Sequence, residues 1–207
     1  MGPLMRLVLA SASPRRRELL AQIGIEALVR PVDIDETPHS YEQALPYVQR
    51  MAKQKLIAAK VMLSEEFANL EEIIVVTCDT SVIVDELILG KPKGYEDFMQ
   101  MMSKLSGRTH KVVSTIAISG ANPHGVGKLA DELISVETEV EFKVLSPPEM
   151  NAYWQTGEPR DKAGGYGIQS LGALFVSGIK GSYSNVVGLP LQELHLALRA
   201  RGYATVI

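Results

Sequence analysis

The feature that most constrains the fold is an unbroken run of mostly β-branched residues, apolar except for Thr77, that extends from Ile73 to Cys78. A continuous run of this kind is typical of a strand buried on both faces of a sheet. Asp79 and Thr80 follow directly, so we predict that the strand ends there. Ligands in open α/β sheets bind beyond the carboxyl ends of strands, which makes this end a candidate site. The plain alternative is that Asp79 forms a turn that caps the next element.

Helical and strand patterns alternate on either side of this run. Further strands are predicted over 6–10, 27–32 and 174–179, and helices over 14–23, 41–67, 95–105, 147–156 and 190–201. Alternating patterns at 109–118 and 133–144 predict an antiparallel pair joined by a glycine-rich loop at 120–128. The expected fold is mixed α/β, and 207 residues suffice for one large domain or two small lobes.

Three consecutive arginines, Arg15, Arg16 and Arg17, fall in the first turn of the first predicted helix. Ser13 is a favourable N-cap and Pro14 a favourable first residue, so the arginines lie at the positive end of the helix dipole. A cation there typically costs about 0.3–1 kcal/mol. Free amides and guanidinium groups together suit a phosphate, and this turn is a candidate anion site. The alternative is a solvated basic turn.

Carboxylates and lysines elsewhere add to this picture. Asp33, Asp35 and Glu36 form an acidic loop whose hard oxygen ligands suit Mg²⁺ or Mn²⁺, although such a loop can also be merely solubilising. Lys91, held between Gly90 and Pro92, and Lys55 on the long helix could bind phosphate, whereas most such lysines are solvated.

A glycine-rich segment near residue 165 ends in Gln169, whose amide offers a donor and an acceptor for reading a base. No P-loop and no dinucleotide-binding fingerprint is present. His110 is either a polar residue at the start of a strand or a ligand contact, and Cys78 is interpreted as a small buried apolar residue. Taken together, these residues suit a nucleoside triphosphate hydrolysed with the help of a metal.

Composition limits the other functional classes. The net charge of −3 argues against general nucleic-acid affinity. No apolar run approaches the ~20 residues of a membrane span. The single cysteine and the lack of a recognisable secretory signal predict a cytoplasmic protein.

Several ordered motifs, spanning Leu9 to Leu191, resemble the Maf family of nucleotide pyrophosphatases. They are Leu9-Ala-Ser-Ala-Ser-Pro-Arg-Arg16, Asp79-Thr80, Gly90-Lys-Pro92, Leu105-Ser-Gly-Arg-Thr-His110, Glu158-Pro-Arg-Asp-Lys-Ala-Gly-Gly-Tyr-Gly-Ile-Gln169, Gly181-Ser-Tyr183 and Val187-Gly-Leu-Pro190. The resemblance implies a single Maf-like domain over residues 1–207, with two lobes around a cleft as in inosine-triphosphatase-like folds.

The resemblance also implies an activity: a divalent metal (Mg²⁺ or Mn²⁺) assists hydrolysis of nucleoside triphosphates to the monophosphate and pyrophosphate, as house-cleaning of the nucleotide pool. It implies a cytosolic enzyme, often a homodimer, with no nucleic-acid or membrane partner. Asp79 matches the family's proton acceptor. The positions that mark the dTTP/UTP branch are matched by Arg15, Thr80 and Gln169. Other polar positions of the cleft are matched by Ser11, Arg16, Glu36, Lys55, Lys91 and Asp161.

These matches give each residue an expected role. Catalysis is expected of Asp79, Arg16, Lys55 and Lys91, and substrate binding or specificity of Arg15, Thr80, Gln169 and Ser11. The expected metal ligands are Glu36, Asp79 and Asp161. Two alternatives stay open: a non-enzymatic nucleotide-binding regulator, for example of cell division, and a pyrophosphatase for another nucleotide such as 7-methyl-GTP.

Overall fold

The structure, a computed structural model, describes residues 5–67, 72–122 and 129–205. The strands are β1 (Arg6–Leu9), β2 (Leu28–Val29), β3 (Ile73–Val84), β4 (Leu87–Leu89), β5 (Thr109–Gly120), β6 (Glu132–Phe142) and β7 (Val176–Lys180). The helices are α1 (Pro14–Gln22), α2 (Ala44–Glu66), α3 (Tyr95–Leu105), α4 (Pro147–Gln155), α5 (Tyr183–Val187) and α6 (Leu191–Ala200). Short 3₁₀ turns occupy Glu158–Asp161, Ala163–Gly165 and Leu171–Phe175.

These strands form one mixed sheet in the order β2-β1-β3-β5-β6-β7, with β4 paired to β3. The mixed α/β prediction is confirmed, as is the antiparallel β5–β6 pair. β1 runs parallel to both β2 and β3, whereas β3 runs antiparallel to β5. The predicted strand at 27–32 shortens to two residues. Most of the predicted 120–128 loop lies outside the described residues.

Helices cover both faces of the sheet at the β1 end. Leucines of α1 and α6 pack on Leu9, Val76 and Cys78, whereas the apolar stripe of α2 packs on Val8 and Val75 on the opposite face. A separate core lies at the other end of β3 and β5, where α3 and α4 pack on Val82 and its neighbours. Two cores on one long β3–β5 ladder leave a cleft between them.

The prediction that the central strand ends at Asp79–Thr80 is wrong. β3 continues to Val84 because its ladder with β5 runs unbroken from Ile74 to Ile83. It is the parallel neighbour β1 that ends here, with Leu9 opposite Val76. Asp79 therefore lies in the middle of β3, three residues beyond the carboxyl end of β1. Strand alternation then places Asp79 and Thr80 on opposite faces of the sheet.

Candidate active site

A cavity of about 790 Å³ opens beyond the carboxyl end of β1 and extends along β3. It gathers residues that the sequence scatters over almost 160 positions. The residues that match polar positions of the Maf family all line it: Ser11, Arg15, Arg16, Glu36, Lys55, Asp79, Thr80, Lys91, Asp161 and Gln169; of the other two acidic-loop residues, Asp33 lines it and Asp35 does not. Their individual roles stay predictions, but their convergence on one cleft is a property of the fold.

Arg16 is fixed by three oxygen acceptors on one wall of the cleft. Its Nε donates to the Gly188 carbonyl at 2.8 Å, one terminal nitrogen to Ser11 Oγ at 2.9 Å and the other to Thr80 Oγ1 at 3.2 Å. Ser114 Oγ lies 2.8 Å from the same Thr80 oxygen. A guanidinium has five N–H groups, so this frame orients Arg16 and leaves donors for an anion.

The first turn of α1 is open toward the cavity. Ser13 has the extended backbone of an N-cap, but its side chain makes no capping hydrogen bond. Its backbone N–H instead donates to Ser11 Oγ at 3.2 Å. The helix thus presents free amides and the Arg15 and Arg16 side chains at one place, as an anion site requires. Arg17 is exposed and does not line the cavity.

On the opposite wall, Lys55 of α2 bridges two carboxylates. Its Nζ lies 2.6 Å from Glu36 Oε1 and 2.7 Å from Asp79 Oδ1, and only 12% of its side chain is exposed. Burial acts to lower the pKa of Lys55, but the two carboxylates outweigh it and the pKa is raised. Burial likewise acts to raise the pKa of Glu36, and the Lys55 ammonium holds it below its usual value. Lys55 and Glu36 are therefore both charged near neutral pH.

Tyr47, which the sequence reasoning missed, supports this bridge. Its hydroxyl donates to the Glu36 carbonyl at 2.9 Å, and burial raises its pKa to about 12. The guanidinium of Arg50 stacks on the Tyr47 ring and also donates to the Thr37 carbonyl at 3.1 Å. Tyr47 precedes Lys55 by eight residues, which puts both on the same face of α2, and that spacing was the available signal.

Lys91 and Gln169 are the unengaged members of the cleft. Within the described part of the chain, neither side chain has a hydrogen bond or an ion pair. Lys91 lies near enough to help lower the pKa of Glu36. Gly164, in the loop before Gln169, donates its backbone N–H to the Gly90 carbonyl at 2.9 Å and so ties the two segments together. Both side chains are available to a ligand.

Asp161 contacts two cations. Its Oδ2 accepts from Arg15 at 3.2 Å and its Oδ1 from Lys162 at 2.8 Å. Lys162 also lines the cavity and was missed, although it follows Asp161 directly in the motif. These contacts place Asp161 in a row of alternating charge at one edge of the cleft.

The fit of a divalent metal rests on Glu36 and Asp79. Among the residues that the structure describes, no group of three or more His, Cys, Asp or Glu side chains is arranged to hold a metal, so Asp161 does not complete a set with them. Mg²⁺ usually takes one or two carboxylates together with substrate phosphates and water. Glu36 and Asp79, both in contact with one ammonium, fit that pattern when phosphate oxygens supply the remaining ligands.

Like Arg17 and Asp35, the sequence candidates His110 and Cys78 do not line the cavity. His110 is buried, with Nε2 2.7 Å from Tyr166 Oη, and its ring packs edge-on against Phe142. Burial lowers its pKa to about 4. Tyr166 itself does line the cavity, so His110 supports the cleft from behind. Cys78 is fully buried, and burial raises the pKa of its thiol, which fits the predicted apolar role.

None of the described helices combines the length and apolar character needed to cross a membrane.

Comparison with known proteins identifies the family of this chain. Residues 6–201 match the family model described as "Maf-like protein". The dTTP/UTP pyrophosphatase of Myxococcus xanthus is 46% identical over 95% of this chain and 92% of its own length. The protein of the same name from Colwellia psychrerythraea is 47% identical over 96% of this chain and 89% of its own length.

A solved HAM1 protein from Coxiella burnetii has a TM-score of 0.48 and 14% identity, covering 94% of this chain and 98% of its own, which is too distant to inform function. The family model and the close relatives, in contrast, each extend over nearly the whole chain. The chain belongs to the Maf family.

Proposed function

We propose that this protein is a nucleoside triphosphate pyrophosphatase that prefers dTTP and UTP and releases the nucleoside monophosphate and pyrophosphate. Its role would be house-cleaning of the nucleotide pool. The observation that carries the proposal is the buried Lys55 bridge between Asp79 and Glu36, set opposite Arg16 in one cleft. Relatives more than 40% identical over nearly the whole chain are named dTTP/UTP pyrophosphatase.

In this proposal Asp79 orients a water molecule and accepts its proton as the water oxygen bonds to phosphorus. The anhydride bond between the α- and β-phosphates breaks, and the electron pair leaves with pyrophosphate. Arg16, Lys55 and Lys91 stabilise the negative charge that develops, as preorganised cations do in phosphoryl transfer. Their three positions around the cleft allow contacts to different phosphate oxygens.

The proposal includes a divalent metal, Mg²⁺ or Mn²⁺, held by Glu36, Asp79 and phosphate oxygens. When bound, such an ion neutralises phosphate charge and polarises the phosphorus–oxygen bonds. For the base, we assign selection to Arg15, Thr80 and Gln169, and Ser11 keeps Arg16 in place for the phosphates. The homodimer and the cytoplasmic location stay predictions.

A panel of triphosphates, assayed for pyrophosphate release with and without metal, tests the proposal. We expect release from dTTP and UTP that requires Mg²⁺ or Mn²⁺ and exceeds release from ATP, GTP and 7-methyl-GTP. Binding without release would favour the nucleotide-binding regulator, and preferential cleavage of 7-methyl-GTP would favour the other branch.

A further inference from the structure

Arg15, Asp161 and Lys162 form a row at one edge of the cleft that alternates hydrogen-bond donors and acceptors. Arg15 and Lys162 each donate to a different oxygen of the Asp161 carboxylate, at 3.2 and 2.8 Å. All three residues line the cavity. Asp161 stays 62% exposed despite both bonds, so its remaining lone pairs are open to a ligand.

Contacts with neighbouring residues fix the position of Lys162 in this row. Lys162 is 14% exposed, and its Nζ donates to the Glu158 carbonyl at 2.7 Å, which leaves one of its three N–H groups. Its side chain crosses Gly167 so closely that a Cβ there would lie 2.6 Å from Lys162 Cε. Tyr153 fastens the same turn, donating to Glu158 at 2.8 Å and accepting from the Gly167 backbone at 3.1 Å.

The protonation state of the row is defined by its neighbours. Burial acts to raise the pKa of Asp161, but hydrogen bonding and charge from Lys162, with the charge of Arg15, hold it below its usual value. Asp161 is therefore a carboxylate near neutral pH and only accepts hydrogen bonds. Arg15 has guanidinium N–H groups beyond the one given to Asp161. The row thus presents donor, acceptor and donor in sequence.

We propose that this row reads the edge of uracil or thymine: Asp161 accepts from N3–H while Arg15 and Lys162 donate to the two flanking carbonyl oxygens. Both bases carry the order acceptor, donor, acceptor along this edge, and the 5-methyl group of thymine lies away from it. Cytosine has an acceptor at N3 and an amino group beside it, so two of the three contacts would oppose each other. The inference rests on the proposed function and makes Asp161 a specificity residue rather than a metal ligand.

Binding of non-hydrolysable α,β-methylene analogues of UTP and CTP tests this inference separately from hydrolysis. By calorimetry we expect wild-type protein to prefer the UTP analogue, and Asp161→Asn to reduce the UTP-to-CTP affinity ratio by roughly tenfold or more, since the Asn amide can donate to cytosine N3. An analogue methylated at N3 should bind wild-type protein roughly tenfold more weakly than the UTP analogue, which needs no variant.

Arg160→Gln is the matched control. It removes a neighbouring positive charge, but Arg160 stacks on Trp154 and does not line the cavity, so the affinity ratio should stay as in wild type. Two results together would overturn the inference: equal weakening of both analogues by Asp161→Asn, and unimpaired binding of the N3-methyl analogue. Those results would not contradict the proposed pyrophosphatase activity. An Asp161-dependent preference for uracil in a protein that releases no pyrophosphate would support it and refute the proposed function.

Discussion

Lowering the pH from 7.5 to 5 should destabilise this protein mainly through one residue, His110. The residue is 2% exposed, its Nε2 is hydrogen-bonded to Tyr166 Oη, and its Nδ1 has no partner among the described residues. Burial lowers its pKa, because no charged group among the described residues acts on the ring to offset the loss of solvent. The folded protein therefore keeps His110 neutral down to about pH 4.

The unfolded chain, in contrast, takes up a proton at this histidine near its ordinary pKa of 6.5. The stabilising contribution is thus complete above pH 6.5 and is lost progressively as the pH falls toward 4. Each pH unit within that window costs about 1.4 kcal/mol, so unfolding at pH 5 should require about 2 kcal/mol less than at pH 7.5.

Urea unfolding at several pH values between 5 and 7.5, followed by circular dichroism, measures this loss. His110→Gln cannot take up the proton and should show a nearly flat dependence, whatever its stability at pH 7.5. His39→Gln, at an exposed position, should keep the wild-type slope. Carboxylates held at low pKa, such as Glu42 and Glu149 at about 2, act mostly below this window. Equal slopes in wild type and His110→Gln would refute the reasoning.

Two further predictions concern the cleft. Lys91→Met should lower kcat/KM for UTP by about 10²-fold, because a cation beside the phosphates is lost. Lys93 lies outside the cavity, so Lys93→Met should have little effect. Equal losses of kcat/KM for the two variants in steady-state assays would contradict the role assigned to Lys91. Gly164→Ala should lower Tm more than Gly157→Ala. Both positions have a positive φ, but only an alanine at position 164 would place its Cβ 2.8 Å from the Val82 side chain. Strain from the positive φ alone is about 1–3 kcal/mol, so equal shifts in thermal unfolding would show that the Val82 contact adds nothing.

Much of the site could be anticipated from the sequence because its residues lie in short motifs. The Arg15–Arg16 turn depends on a local helix start, and such a start is readable from Ser13 and Pro14. The position of Asp79 was misjudged because the end of a strand depends on its partners. β3 continues where β1 stops, and pairing with a strand some forty residues later is not visible locally.

The ion pairs of the cleft also could not be predicted from local sequence patterns. Lys55 meets Asp79 across 24 residues, and Arg15 meets Asp161 across 146. The sequence contains the charges but does not indicate their partners, so the contacts of Asp161 with Arg15 and Lys162 could not be predicted. Tyr47 and Lys162 were missed because their roles depend on their hydrogen bonds to Glu36 and Asp161, which are visible only in the fold.

The most direct test of the proposed pyrophosphatase activity is product analysis of UTP hydrolysis by wild type and Asp79→Asn. We expect wild type to form UMP and pyrophosphate in equal amounts, and Asp79→Asn to be slower by about 10²–10³-fold while circular dichroism shows it folded. Formation of UDP and phosphate, or an Asp79→Asn protein that turns over at the wild-type rate, would contradict the assignment of this cleft.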